Sequence, residues 1–372
     1  MARNVYIWQQ KAWPKFIWDD AKILNHLSLA RKIQGKIIAL ASDVGLETQA
    51  QIFVEDALKT SAIEGEKLEL ESIRSSVAKR LGLSAAGLST KQINVEGVVD
   101  MLVDATHNYS APLTVVRLKG WQAGLFPSGH SGIHKIIVGE WREPGEPMRV
   151  VSGKMGKEKV HFEAPPAENV PTEMKRFITW FNSNTKVDGL VRAAIAHFWF
   201  VTIHPFEDGN GRIARAITDL ALAEDESLAK RLYSLSSQIN HDRDDYYKIL
   251  EKSQKGHLDI TDWIIWFLNT FVRAIERSQI LIDKAIFIGN YWKVHAHIDL
   301  NQRQKKVIQK MLEYEPSGFV GGMTNKKYVS LTRVSAASAK RDLGDLEEKE
   351  LIKRSNSKGR SISYFLILNS RK

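Results

Sequence analysis

Ile203-His204-Pro205-Phe206-Glu207-Asp208-Gly209-Asn210-Gly211-Arg212-Ile213-Ala214-Arg215 is the stretch on which the reading of this 372-residue chain turns. An apolar run, Ala193–Ile203, leads into it, and a helix-forming run, Ile213–Leu222, leads out. Between them Pro205, Gly209 and Gly211 break helix and strand alike, so the stretch is a turn joining two helices. Pro205 disfavours the α region at His204, which places the end of the first helix there. The N–H groups of Gly209, Asn210 and Gly211 form a nest at the start of the next helix, where free donors and the helix dipole attract an anion. Arg212 and Arg215 stand three apart, share a helix face and both reach that anion. Asp208 beside the nest suits a divalent cation, and His204 takes a proton near neutral pH. Base, metal carboxylate, phosphate cradle and two guanidinium groups point to phosphoryl or nucleotidyl transfer. The competing reading, a helix corner with a buried histidine and surface arginines, explains each residue singly but not the joint spacing.

Every fixed position of these residues matches H-P-F-x-D/E-G-N-G-R-x-x-R, and the stretch resembles the motif of the Fic family. The resemblance covers about Leu113–Gly256. It implies a mainly α fold, the Fic helical bundle with a β-hairpin flap, and transfer of AMP from ATP to a Tyr, Thr or Ser hydroxyl of a protein. The roles it implies are specific. His204 accepts the hydroxyl proton, Asp208 holds Mg2+, and Gly209, Asn210 and Gly211 face the phosphates. Arg212 steadies the β-phosphate and Arg215 the γ-phosphate, with Phe206 an apolar anchor. Transfer of another nucleotide or of phosphate, and removal of AMP by the same site, stay open.

Thr60-Ser61-Ala62-Ile63-Glu64-Gly65 resembles the inhibitory motif of that family, S/T-x-x-x-E-G/N. The resemblance implies that Glu64, at the end of an N-terminal helix, takes Arg215 where the γ-phosphate should lie. Thr60 and Glu64 are four apart, hence on one helical face, and Gly65 ends the helix. Further on, Tyr246-Tyr247 resembles a pair that packs against the nucleoside, while Gln254 stands where the family has an asparagine toward the base. Core packing explains the tyrosines equally well.

Composition sets the outer bounds. The chain is 43% hydrophobic and 26% charged, that of an ordinary globular protein. It has no cysteine, which excludes disulfides and thiolate metal sites. Met1–Gln10 holds no long apolar core and no apolar run reaches spanning length, so a cytoplasmic protein without membrane contact is expected. The net charge of +10 leans toward a polyanionic partner.

Three domains are expected: an N-terminal helical region over 1–110 carrying the inhibitory helix, a catalytic domain over 111–288, and a small C-terminal domain over 289–372. Val5–Trp8 alternates like a strand, and the aromatics Tyr6, Trp8, Trp13, Phe16 and Trp18 read as a clamp onto the body. Asp19 or Asp20 caps a helix through Ala41. Glu47–Glu64 is helical, with Ile52, Val54, Leu58 and Ala62 as apolar positions. Helices are expected over Leu68–Leu83, Lys91–Asn108, Leu113–Leu125, Thr172–Asn182, Leu190–Ile203, Ile213–Ala223 and Asp259–Phe271. Ile136–Val138, Met148–Val151 and Lys159–Phe162 read as strands, the last two flanking the turn Ser152–Lys157. The resemblance makes this hairpin a flap, near residues 148–162, that pairs with the backbone of an unidentified target protein. It places Val160 and His161 near nucleotide or target. His197, inside an apolar helix, reads as a core histidine rather than a catalyst.

Asp299–Lys372 carries sixteen Lys or Arg against eight Asp or Glu. Helices at Asn301–Tyr314, Asn325–Leu331 and Ser335–Leu346, then strands at Glu350–Arg354 and Ser361–Leu368, resemble a winged helix (α+β), which has DNA as one partner and protein docking as the alternative. Asp342, Asp345, Glu347 and Glu348 dilute the candidate recognition helix. A homodimer is a further open partner.

Overall fold

The computed structural model of the chain describes residues 6–83, 93–152, 159–183, 186–315, 318–355 and 362–368. Among them are fourteen α-helices and six short strands. They form two compact units, Met1–Gln279 and Ile280–Lys372.

In the first unit the N-terminal aromatics do act as a clamp, although the strand expected at Val5–Trp8 is a 3-10 turn, Ile7–Gln9. Its tight coil turns the Trp8 indole toward the body, where Nε1 donates to the Glu163 carbonyl at 2.8 Å. Trp13 and Phe16 meet Trp199 edge-on. Asp19 then caps α1 (Asp20–Ala39), accepting from the N–H groups of Ala21 and Lys22. Helix α2 (Leu46–Ile63) stops where Gly65 takes a positive φ. Its buried side differs from the apolar set expected: Ile52, Phe53, Asp56, Ala57, Thr60, Ser61 and Ile63 face inward, while Val54, Leu58 and Ala62 are only partly covered. Asp56 and Thr60 on that face have partners in the core, Ser234 and Arg215, so apolar periodicity alone misplaces it.

α3 (Leu70–Arg80) and α4 (Ile93–His107) follow. Residues 84–92, which join them, lie outside the described residues. α5 (Val115–Leu125) packs on α4 so closely that a Cβ on Gly97 would lie 1.8 Å from the Gly124 carbonyl. Ile136–Val138 is not a strand. The pairing is one step earlier, β1 (His130–Ser131) with β2 (His134–Lys135), because tertiary contacts take the later residues: Ile137 N–H donates to the Glu207 carboxylate. β3 (Arg149–Ser152) and β4 (Lys159–Glu163) form the antiparallel flap hairpin, with a register irregularity between Val150 and Val151. Most of its turn lies outside the described residues.

α6 (Val170–Phe181) covers one side of α7 (Gly189–Ile203), in which Ala193 through Ile203 are all buried. Such a helix has core on every side. α8 (Asn210–Glu226) packs along it, followed by α9 (Leu235–His241) and α10 (Arg243–Gln254). The start of α11 (Thr261–Val294) adds Trp263, Ile264, Phe267 and Phe271 to this core.

The second unit has its own core. α12 (Gln302–Leu312), α13 (Asn325–Thr332) and α14 (Ala336–Glu348) contribute Val307, Ile308, Met311, Tyr328, Ala339, Leu343 and Leu346. Asn301, Thr324 and Ser335 cap the three helices with side-chain acceptors. β5 (Ile352–Arg354) and β6 (Tyr364–Leu366) pair antiparallel, and Met323 bridges to Tyr364. Residues 356–361, which join them, lie outside the described residues. Among the described residues no helix is long and apolar enough to cross a membrane.

Candidate active site

α7 ends as Pro205 requires. His204 is its C-cap, in the left-handed region with φ 51°, and α8 opens at Asn210 after Gly209 at φ 89°. Gly209 is confined by more than its φ, since a Cβ there would lie 3.0 Å from the Phe126 ring. The turn is braced from within by Asn210. Its amide accepts from Phe206 N–H at 2.9 Å and donates to the Phe206 carbonyl at 2.8 Å. Asn210 is thus a structural clamp through its side chain and can serve an anion only through its backbone.

The imidazole of His204 has its Nδ1 3.1 Å from the Val201 carbonyl. A carbonyl only accepts, so Nδ1 carries the proton and Nε2 keeps its lone pair. Burial lowers the pKa of this histidine, with the Arg142 charge acting in the same direction, against the Val201 carbonyl, Glu64 and Asp208. The group is a neutral base at pH 7. His197, seven residues earlier, has a different fate. It is fully buried between Thr218 Oγ1 and Tyr246 OH, each at 2.9 Å, and burial depresses its pKa to about 3.

Both motif arginines are buried, Arg212 4% and Arg215 1% exposed, and both are held by carboxylates from one turn. Arg215 donates Nε to Thr60 Oγ1 at 2.7 Å and Nη2 to the Thr60 carbonyl and to Glu64 Oε1, each at 2.8 Å. Arg212 Nη1 donates to Glu66 Oε2 at 2.6 Å, and Asn94 of α4 holds the other Glu66 oxygen at 2.8 Å. Neither Glu66 nor Asn94 stands out in the sequence. The only signal there is a second carboxylate two residues past Glu64. Glu64 sits directly over the loop, since a Cβ on Gly211 would lie 2.1 Å from its Oε1. Arg212 Nε and Arg215 Nη1 remain without a partner among the described residues. Buried donors left over in this way are what an anion would satisfy.

Asp208 accepts from Gly209 N–H at 2.6 Å and from the Ser131 hydroxyl on β1. Among the described residues no three His, Cys, Asp or Glu side chains gather into a metal site. One carboxylate fits a cation that arrives with phosphates better than a resident ion, which is how Mg2+ is commonly bound.

The remaining candidates are divided by burial. Tyr246 is 2% exposed and spends its hydroxyl on His197, and Gln254 is 4% exposed with its amide on Thr202 Oγ1 at 3.2 Å. Both lie on the inward stripe of α10 with Leu250, so neither offers its side chain to a base as expected. Tyr247, 37% exposed, faces out, its hydroxyl 3.4 Å from the Ile63 carbonyl. On β4, Val160 is exposed and His161 pairs with Glu251 of α10 at 2.6 Å.

Residues 127–222, which hold this entire loop, match the family model described as Fic/DOC family. They are a Fic domain. Residues 6–83 match a second model, a domain of unknown function (DUF4172), and so α1, α2 and Glu64 lie outside the Fic match. The chain is similar to protein adenylyltransferase fic-1 of Caenorhabditis elegans, 31% identical over 170 residues, 44% of this chain and 30% of that protein. It is also similar to protein adenylyltransferase Fic of Culex quinquefasciatus, 23% identical over 270 residues, 69% of this chain and 49% of the relative. The match therefore spans half or less of these relatives' own length. A crystal structure of a Fic family protein from Desulfovibrio desulfuricans superposes with a TM-score of 0.57 at 20% identity, covering 94% of this chain and 97% of that one. That likeness shows a shared fold.

Proposed function

We propose that the chain is an autoinhibited protein adenylyltransferase, which moves AMP from ATP to a Tyr, Thr or Ser hydroxyl of a target protein. One observation carries the reading: Glu64 lies over Gly211 and on Arg215, a carboxylate in the place where a terminal phosphate would meet the same donors. When Glu64 withdraws, the backbone N–H groups at the start of α8 and the two arginines receive the β- and γ-phosphates. His204 Nε2 accepts the proton of the target hydroxyl as its oxygen attacks the α-phosphorus and pyrophosphate leaves. A Mg2+ ion accompanying ATP would be held by Asp208 and supplies neutralisation of the phosphate charge. The Ser131 hydroxyl, which donates to Asp208, would share that carboxylate with the ion.

The flap suits an extended target segment. β3 and β4 pair only with each other among the described residues, and Val151 and Val160, partners in the register, are 48% and 38% exposed. A strand added to one edge finds free backbone groups and an apolar pair to lie beside. The test is incubation with ATP labelled at the α-phosphate. Glu64→Gly should label itself or a target more than the parent does. His204→Ala in that background should abolish labelling while calorimetry still detects Mg·ATP. A Glu64→Gly protein that binds Mg·ATP and labels nothing removes AMP transfer.

A second reading concerns Ile280–Lys372 alone, and one finding favours it. Asp342 and Asp345, which crowd α14 in the sequence, turn toward α12. Asp342 holds Arg303 at 2.8 Å and Tyr328 at 2.8 Å, and Asp345 accepts from Gln304 at 2.6 Å. The exposed or half-buried stripe of α14 carries Ala337, Lys340, Arg341 and Gly344, with Glu348 exposed at its end, and Lys326 and Arg333 are exposed in the same unit. We read this as a duplex-DNA face of a winged-helix-like unit. Binding of the full chain to duplex DNA should weaken steeply with salt, and Lys340→Glu with Arg341→Glu should flatten the salt slope by about 2. No binding at low salt refutes it.

A further inference from the structure

The turn that presents His204 is gripped from outside by two residues that lie beyond the motif, Trp141 and Arg142. Their contacts fall on three consecutive motif residues. Arg142 Nε donates to the His204 carbonyl at 2.8 Å, and Arg142 N–H donates to the Pro205 carbonyl at 2.9 Å. The Trp141 ring lies against the Phe206 ring, centroids 4.8 Å apart. The far end of Arg142 reaches elsewhere. Its Nη2 donates to the Pro165 carbonyl, two residues past the end of β4.

Arg142 is 7% exposed, and among the described residues no carboxylate forms an ion pair with it. Burying a guanidinium whose hydrogen bonds go to carbonyl oxygens is costly, and its pKa falls through that burial although the Glu168 charge opposes it. An ordinary surface arginine would not accept such a place. The left-handed backbone of His204, at φ 51°, also needs a support, because a side chain with a Cβ does not rest there unaided.

From these contacts we infer that Arg142 is a positioning residue, one that locks the peptide of the catalytic base and the exit of the flap into a single frame. The inference rests on the adenylyltransferase reading of the site. Its physical content is that a hydroxyl delivered by a target strand on the flap meets His204 at a distance set by one side chain. The fork of the guanidinium is essential, since two carbonyls in different segments must be held at once. The charge has a second effect. Of the groups that act on the His204 imidazole, Arg142 disfavours its protonation, while Glu64 and Asp208 favour it.

The experiment uses the full chain with Glu64→Gly as the parent, into which Arg142→Lys and Arg142→Met are placed. Both should lower kcat roughly tenfold to a hundredfold, with KM for ATP within about twofold, because misplacement by about 1 Å is enough. Mg·ATP affinity by calorimetry should stay at the parent value. NMR titration of His204 separates the two effects. Arg142→Met should raise its midpoint by roughly half a pH unit, whereas Arg142→Lys, which keeps the charge, should leave it near the parent. A Met variant with parental kcat overturns the inference, as does an unmoved His204 midpoint in that variant. Loss of kcat that tracks loss of Mg·ATP binding also overturns it, since Arg142 would then merely support the fold. If the parent itself transfers no AMP, the reading of the site fails, and the His204 titration still decides whether Arg142 governs the imidazole.

Discussion

Two carboxylates, not one, occupy the arginines of the Fic motif, and their separate removal should be measurable. Glu64 on Arg215 and Glu66 on Arg212 are charge-assisted contacts of 2.8 and 2.6 Å, with side chains 30% and 29% exposed. A hydrogen bond to a charged group contributes about 1.5–3 kcal/mol when buried, and partial solvent access brings each of these nearer the lower end. Under the proposed function a productive triphosphate displaces both. Glu64→Gly should therefore raise kcat/KM for ATP roughly tenfold or more, since about 1.4 kcal/mol is a factor of ten. Glu66→Gln keeps the Asn94 contact open but drops the charge, and should add about threefold to tenfold on the Glu64→Gly background. The two residues share one turn, so the effects will not simply multiply. The assay is initial-rate labelling from α-labelled ATP below saturation, run on the parent, both single variants and the double. A double variant no faster than Glu64→Gly would refute the argument that Glu66 competes for phosphate.

Other expectations follow from the same geometry. Because burial first, and Arg142 with it, lowers the pKa of His204, the transfer rate should reach its plateau below the ordinary imidazole value and fall only in more acidic solution, as seen in a pH–rate profile of Glu64→Gly. Asp219 sits at 4% exposure next to Asp56, and burial pushes its pKa up to about 8 although Arg231 opposes it. A carboxyl whose folded pKa is raised stabilises the fold most at low pH and loses that contribution as pH climbs through the folded value. Asp219→Asn should therefore flatten the decline of Tm that runs from the ordinary carboxyl range up to about pH 8, measured by thermal melts across pH. Gly97→Ala drives a methyl into the Gly124 carbonyl and should cost about 1–3 kcal/mol or more, lowering Tm by several degrees with the ATP site intact.

Part of this architecture is legible in the amino-acid sequence, and the reason is locality. Asp19 as a cap, Gly65 as a stop, Pro205 ending α7 and the glycine opening of α8 depend on φ, ψ and the nearest N–H groups, and each stands as expected. The apolar surround of His197 is likewise legible from its own helix. What sequence patterns miss depends on distant partners. Nothing near Glu66 announces Arg212, 146 residues away, and nothing near Arg142 announces the His204 carbonyl. The strand expected at Ile136–Val138 loses its residues to Glu207, a competitor that no local propensity registers. Tyr246 and Tyr247 are adjacent and identical in type, so only the orientation of α10 can assign one to the core and leave the other at the surface.

The N-terminal segment ends up touching two places at once. Tyr6 packs edge-on against Phe162 and the Trp8 indole bonds to the Glu163 carbonyl, so the base of the flap leans on Tyr6 and Trp8. The same segment continues through α1 into α2, whose tip plugs the arginines. The cover of Arg215 and the support of the hairpin base thus belong to one piece of polypeptide, so under the proposed function a displacement of that piece would free the arginine and loosen the hairpin in the same movement.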